Sequence, residues 1–345
     1  MLKVFINTKR HFTIEECGMK KILFIVGMIC LVMLLSGCNE TIDEQDDQQQ
    51  NGQGPDSFEP FESEWETEQM ILEGSYCDAE VIQINQTHYR LYYCIEPEVE
   101  NAQEMHSAIS TDGLTWIVED GIRMTQTTFP DIIKLPDGSG YRMYHQAVEP
   151  KDPDSEELAN MGTVSSISTD GLTWVLEDGF RLNAGFQSPY DDKYASDTGV
   201  ILRPDGTYYL VYRGESGERL DQIDDVKGTP VETYYLLGAT STDGLNWTPT
   251  GIIVDTSKPE FDYYILGPEL VYDGDVLKLY FFGIEAIYEA VSYDHGETWE
   301  EERKVFPANQ SFAPSDPTVI QQGDTWRMYY GIHLTGLYSA RYLEE

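Results

Sequence analysis

The chain has 345 residues, 41% of them hydrophobic, with 61 acidic against 22 basic side chains and a formal net charge of −39. That length and composition belong to a globular protein able to bury a substantial core. So acidic a surface favours solubility and repels phosphate backbones, which excludes nucleic acid as a partner.

The N-terminal stretch reads as an export signal. Lys20-Lys21 precede a 14-residue apolar run from Ile22 to Leu35, too short for an ordinary spanning helix, and Leu35-Ser36-Gly37-Cys38 follows. Leu-Ser-Gly-Cys resembles the lipobox of prokaryotic lipoproteins, which implies cleavage before Cys38 and a lipid on that cysteine. Residues 1–38 are therefore expected to be a signal peptide, with Met19 as the truer start because Glu15 and Glu16 sit oddly in a leader. Residues 39–58, rich in Gln, Asp and Glu without an apolar period, are expected to be a flexible tether. The expected location is outside the membrane, on the cell surface or in the periplasm, with the membrane itself a partner through the lipid.

From residue 59 onwards strand and turn signals dominate, in keeping with 23 Tyr, six Trp, 29 Gly and 16 Pro. Cys77 and Cys94 are centred on Asn85-Gln86. With those two residues as a hairpin loop, the cysteines fall opposite each other in a non-hydrogen-bonded pair. A cross-strand disulfide of about 3 kcal/mol is then open to an exported domain, as is a pair of buried free thiols.

Two patterns recur along the chain. The first is an apolar strand opened by acids or Pro, a turn, and a Tyr-rich strand. It runs Cys77–Ile82 with Tyr89–Tyr93, Phe129–Ile133 with Tyr141–His145, and Ser196–Ile201 with Tyr208–Arg213. It continues as Gly267–Val271 with Leu277–Phe281, and Ser315–Ile320 with Trp326–Tyr330. The second is Ser110-Thr111-Asp112-Gly113-Leu114-Thr115-Trp116, repeated ending at Trp174 and Trp247, and in a longer form ending at Trp299. Its chemistry is a tight turn, with Ser and Asp side chains accepting backbone N–H bonds and Gly supplying positive φ. Repeats of this kind call for a repeat architecture.

Each unit reads as four antiparallel strands, so the expected fold is an all-β, five-bladed β-propeller over residues 59–345. The fifth unit lacks its fourth strand. Trp65 precedes Glu80 by fifteen residues, as Trp116 precedes Asp131, so the N-terminal strand around Trp65 to Leu72 is expected to close the last blade.

The Trp-motif turns are expected on one face of the disc, as scaffold, and the chemistry on the other. Counting back from the first aliphatic residue of each first strand, Asp78, Asp197 and Asp316 sit at minus three, and Glu80, Asp131 and Glu269 at minus one. Positions two apart share a face of a strand, so all six acids can line one axial funnel. Crowded carboxylates raise one another's pKa, which suits a pair of acid and base. The competing reading is structural, because Asp at a strand start commonly accepts backbone N–H bonds. Long loops, Glu149–Asn160 and Glu215–Pro230, are expected to border the funnel. Tyr92, Tyr93, His145, Arg213 and Tyr330 end second strands near it and are candidate sugar contacts.

Pro130-Asp131-Ile132-Ile133 with Tyr141-Arg142-Met143-Tyr144, the run Ser196–Val200 with Pro204–Tyr212, and Gly267-Pro268 resemble blades two, three and four of glycoside hydrolase family 43 and its arabinanase and xylosidase-like relatives. The resemblance implies an inverting glycosidase with Asp78 as general base, Asp197 tuning the acid, and a blade-four glutamate as general acid. The family's acid directly precedes Gly-Pro, where this chain has Leu266, so Glu269 is the nearest substitute; Asp78-Ala79 stands where Asp-Pro is usual. The Trp motif resembles the Asp-box of sialidases, whose arginine cluster has no counterpart here. The expected function is a surface-anchored glycoside hydrolase acting on oligo- or polysaccharide, and the rival is a non-catalytic glycan-binding lipoprotein. Hydrolysis requires no cofactor, although a carboxylate ring also suits a structural Ca²⁺.

Overall fold

The computed structural model describes residues 63–343 apart from 98, 101–102, 151–157, 224–229, 255, 259–260, 262 and 309–312. The signal segment, Cys38 and the tether lie outside the described residues. The described elements are all strands. They run β1 (Trp65–Glu73), β2 (Tyr76–Asn85), β3 (His88–Ile95), β4 (Met105–Ser110), β5 (Ile117–Val118), β6 (Thr127–Lys134), β7 (Tyr141–Pro150), β8 (Leu158–Ser168), β9 (Val175–Leu176) and β10 (Leu182–Asn183). They continue as β11 (Tyr194–Leu202), β12 (Tyr208–Ile223), β13 (Pro230–Ser241), β14 (Thr248–Val254), β15 (Ile265–Asp273), β16 (Val276–Gly283), β17 (Ala286–Ser292), β18 (Arg303–Pro307), β19 (Pro314–Gln322), β20 (Thr325–Ile332) and β21 (Gly336–Tyr342).

Three sheets have four strands: β2-β3-β4-β5, β15-β16-β17-β18 and β1-β21-β20-β19. A fourth, β14-β13-β12-β11-β8-β7-β6, joins two antiparallel groups through one parallel bridge, Ala195 to Gly162. The inner strands β2, β6, β11, β15 and β19 each pack beside the next, and β19 packs beside β2, so they close a ring. Apolar residues fill the gaps between successive groups. Tyr209, Val211 and Leu236 meet Leu270, Leu279 and Phe281 in one gap, and Val81 and Leu91 meet Tyr329 and Leu337 in another. The architecture is all-β and propeller-like, and β1 pairs antiparallel with β21 from Trp65 opposite Tyr342 to Glu73 opposite Gly336.

The repeated turns form as their chemistry requires. Ser110 Oγ accepts the Gly113 N–H (2.9 Å), and Asp112 Oδ1 accepts those of Leu114 (2.8 Å) and Thr115 (2.7 Å). They also rivet one strand group to the next. Arg90 Nη1 donates to Asp170 O (2.8 Å) and Tyr92 OH to Gly171 O (2.7 Å). Arg142 and Tyr144 treat Asp243 and Gly244 likewise, and Arg327 and Tyr329 treat Asp112 and Gly113. Each arginine is also forked onto a glutamate: Arg90 onto Glu119 just past β5, Arg142 onto Glu177 just past β9, and Arg327 onto Glu68 in β1. The turn glycine is needed twice over, for its φ of +71° at Gly171 and because a Cβ there would lie 2.5 Å from Arg90 Nη1 and 2.7 Å from Tyr92 OH.

Gly171→Ala is therefore expected to cost about 2–4 kcal/mol, from left-handed backbone and overpacking together. Gly138→Ala, at φ +75° with open space around its Cβ, should cost only about 1–2 kcal/mol. Denaturant midpoints of the two variants measure the difference.

Two expectations change. The segments expected as long loops are largely extended hairpin arms: β7 and β8 stay paired out to Pro150 opposite Leu158, and β12 and β13 out to Ile223 opposite Pro230. The β2–β3 turn lies at Gln86-Thr87, with Asn85 paired to His88, one residue later than expected. Cys77 is nevertheless opposite Cys94, because register breaks between Cys77 and Glu80 and between Gln83 and Asn85 compensate for the displaced turn. Both cysteines are free thiols; Cys77 Sγ donates to Cys94 O (3.7 Å) and Cys94 Sγ to Thr127 O (3.6 Å).

Candidate active site

Every inner strand breaks register at the same place, three residues before its first aliphatic residue. The breaks fall at 77–80, 128–131, 196–198, 266–269 and 315–318. The residue there has left-handed backbone in all five: Asp78 (φ 52°), Phe129 (50°), Asp197 (59°), Gly267 (61°) and Asp316 (49°). A bulge of this kind inserts one residue and re-aims a side chain, and non-glycine residues held in that region cost on the order of 1–3 kcal/mol each. Four such residues at one level of one ring form a concentration of strain of the kind found at functional sites.

The bulges converge on one cavity of about 30 Å³, whose walls include Asp78, Glu80, Asp131, Asp197, Glu269 and Asp316 together with Phe129 and Thr198. The space admits one or two waters; a sugar ring has to lie across its mouth. The structure thus brings together all six acids picked out by spacing.

The six fall into two tiers. One tier, on the residue just before the first aliphatic one, is a hydrogen-bonded girdle. Glu80 Oε1 accepts the Ile132 N–H (3.1 Å), Asp131 Oδ2 that of Val200 (3.1 Å), and Glu269 Oε1 that of Val319 (3.2 Å). Thr318, at the corresponding place on β19, accepts the Val81 N–H (3.4 Å) and donates to Glu80 Oε2 (3.1 Å). At the remaining joint stands Gly199, where a Cβ would lie 2.4 Å from Pro268 O. On four of the five inner strands one side chain therefore ties that strand to the next, a structural role for Glu80, Asp131 and Glu269 alongside Thr318.

The other tier, on the bulges, is Asp78, Asp197 and Asp316. Asp78 Oδ2 accepts the Phe129 N–H (3.2 Å), and Asp197 Oδ2 accepts that of Gly267 (3.1 Å) and lies 3.8 Å from Arg213 Nε. Burial pushes the Asp78 carboxyl up to about 7, the Phe129 N–H opposing it and the Asp197 charge adding to it. Glu80 is likewise raised to about 7 by burial. Burial raises Asp131 and Glu269 further, each helped by the charge of its tier neighbours, and raises Asp316, helped by Asp78 and Asp197. Asp197 is raised by burial against the pull of Arg213.

These shifts set a stability profile. A carboxyl near 4 in the unfolded chain and near 7 in the fold keeps its proton longer when folded, so its contribution is full below about pH 4 and is lost as pH rises through 7. Asp112 and Asp294, held at about 2 by turn N–H groups and the Thr298 hydroxyl, act oppositely below pH 4. Thermal melts should therefore show the midpoint falling between pH 5 and 8. Glu80→Gln, which keeps an acceptor for Ile132, should flatten that slope, and an unchanged slope would remove Glu80 as its source.

The remaining candidates lie elsewhere. Tyr92 is fully buried and donates to Gly171 O, and Tyr330 is fully buried against Phe306 and Tyr338 with its hydroxyl 3.0 Å from Thr67 Oγ1. Neither faces the cavity. His145 has both ring nitrogens engaged, Nδ1 with Thr127 Oγ1 (2.7 Å) and Nε2 with Ser166 Oγ (2.9 Å), and burial lowers it to about 4, so it is neutral. Tyr93 is buried between sheets against Tyr76 and His106. Arg213 is buried behind the wall, its guanidinium over the rings of Phe129, Tyr194 and Tyr234, and it acts on the cavity through Asp197. Among the described residues no three His, Cys, Asp or Glu side chains are placed to hold a metal ion. Phe129, Thr198 and Thr318 were missed by the search for acids, although the same count back from the first aliphatic residue marks Phe129 and Thr318.

No family model matches the sequence, and no curated protein matches it. Solved structures do match in fold. One is from work on the GH130 family of mannoside phosphorylases, described as containing glycoside hydrolases that target β-1,2 mannosidic linkages in Candida mannan; it is 15% identical with a TM-score of 0.57, over 78% of this chain and 84% of that one. A thermostable family-43 glycoside hydrolase matches at 14% identity and 0.58, over 81% and 93%. A glycosyl hydrolase from Bacteroides ovatus matches at 14% and 0.54, over 78% and 84%. The chain therefore has the fold of these proteins.

Proposed function

We propose that the chain is a five-bladed β-propeller, the nine-stranded sheet counting as two blades, and that it is a glycoside hydrolase anchored to a membrane by a lipid on Cys38, on the cell surface or in the periplasm. The observation that carries the reading is the convergence of Asp78, Asp197 and Asp316, three carboxyls on left-handed bulges, onto one cavity in a fold shared with glycoside hydrolases. Asp78 is the base: a carboxyl near 7 accepts a proton from water at neutral pH, and the cavity admits that water. Asp197, next to Arg213, is the fixed negative charge that orients the sugar and steadies positive charge developing at its anomeric carbon. Attack by an activated water gives inversion.

A second reading, glycan binding without turnover, is favoured by one observation. Leu266 stands where the resemblance implies a catalytic glutamate, and it is buried in the core. Incubation with a panel of oligosaccharides separates the two. New reducing ends support hydrolysis, whereas a calorimetric binding signal with no product supports the binder.

A further inference from the structure

Resting on the hydrolase reading, we infer that Asp316 is the proton donor to the leaving group, standing in for the acid that β15 does not supply. Inner strand β15 offers Gly267 at the bulge and buried Leu266 beside it, so it brings no carboxyl to the bulge position. Its remaining acid, Glu269, is partly exposed like Asp316 but is tied down by the Val319 N–H (3.2 Å) and lies 3.3 Å from Thr318 Oγ1. Strand β19 does bring one. Asp316 has the same left-handed bulge as Asp78 and Asp197 and faces the same cavity.

Three features separate it from the other two. Asp78 and Asp197 each accept a backbone N–H from the neighbouring inner strand, whereas among the described residues Asp316 is bonded to the side chain of Ser315 and accepts no such N–H. It is also partly exposed where Asp78 and Asp197 are buried, so it can reach a glycosidic oxygen lying across the mouth. Finally, although the residue is partly exposed, its carboxyl is desolvated within the ring, and this together with the charges of Asp78 and Asp197 holds its proton on. The Thr198 hydroxyl, in the cavity wall and 5% exposed, has no partner among the described residues and is free to bond a polar ligand there.

The step balances. The bond between the anomeric carbon and the glycosidic oxygen breaks, and the Asp316 proton goes to that oxygen. The water oxygen bonds the anomeric carbon, and its proton goes to Asp78. Exchange with solvent resets both carboxyls.

The test compares wild type, Asp316→Asn, Asp316→Glu and Glu269→Gln on an unactivated oligosaccharide and on a dinitrophenyl glycoside of the same sugar, whose leaving group needs no acid. Asn is tolerated in left-handed backbone, so the fold is expected to survive. In Asp316→Asn, kcat/KM should fall about 10²–10⁴-fold on the oligosaccharide and less than about tenfold on the dinitrophenyl glycoside, with the alkaline limb of the pH profile gone. Asp316→Glu should keep that limb. Equal losses on both substrates with the limb in place overturn the assignment, as does the same split appearing in Glu269→Gln instead. A wild type that hydrolyses neither substrate overturns the hydrolase reading and, with it, this one.

Discussion

Asp78→Asn is expected to lower kcat by about 10²–10⁴-fold while leaving KM and the fold little changed. The side chain is close to isosteric, its oxygen can still accept the Phe129 N–H, and Asn is among the residues best suited to a φ of 52°. What is lost is the ability to take a proton from water. In the wild type that ability grows as Asp78 ionises, so kcat/KM should rise through about pH 7. The variant should have no such limb. Its melting temperature at pH 8 should equal or exceed that of the wild type, because a buried carboxyl that ionises above 7 opposes folding there. Turnover in Asp78→Asn at the wild-type rate would place the base elsewhere and remove the central role given to this residue.

The parts of the molecule written in local chemistry were readable in advance. Asp112, Asp170 and Asp243 accept the N–H groups that a Ser-Thr-Asp-Gly turn requires, and counting those turns led to Trp65 as the missing strand. Counting back from the first aliphatic residue found six cavity acids because the ring repeats one bulge geometry. The bulge itself was invisible. Nothing in Cys-Asp-Ala-Glu announces left-handed backbone at Asp78, and a strict period of two made one tier of acids out of two. The tyrosines failed for a different reason. Sheets here are covered on both faces, so alternation along β3 or β20 does not say which way Tyr92 or Tyr330 points. Tyr92 reaches a turn on the adjoining strand group, a contact 79 residues away in sequence. The girdle was equally hidden, since a carboxylate bound to a neighbour's N–H and one facing substrate are the same letter.

Removing β1 is expected to abolish cooperative folding. The strand is held to the rest of the ring by terms of several kinds. Trp65 is 2% exposed and lies edge-on to Tyr342 in its own sheet and to Tyr280 in the preceding one. Losing so large a buried side chain costs about 3–5 kcal/mol. Glu68 holds both Nε (2.6 Å) and Nη2 (3.0 Å) of Arg327, which is 8% exposed. Losing these charged hydrogen bonds of a part-buried pair costs about 1.5–3 kcal/mol, Arg327 keeping Asp112 O and Gln322 as partners. The Glu64 N–H donates to Val305 O (3.2 Å), reaching the neighbouring sheet, and the ladder to β21 disappears with the strand, leaving an open edge. The two side-chain losses alone approach the 5–15 kcal/mol that stabilises an ordinary domain. A chain beginning at Gly74 should therefore show no sigmoidal melt, and adding a peptide of residues 59–73 should restore one by filling the vacant edge. Glu68→Ala in the intact chain should lower the denaturant midpoint without abolishing the transition. A Gly74-start chain that unfolds at the wild-type midpoint would mean that β1 decorates the last sheet rather than closing the ring.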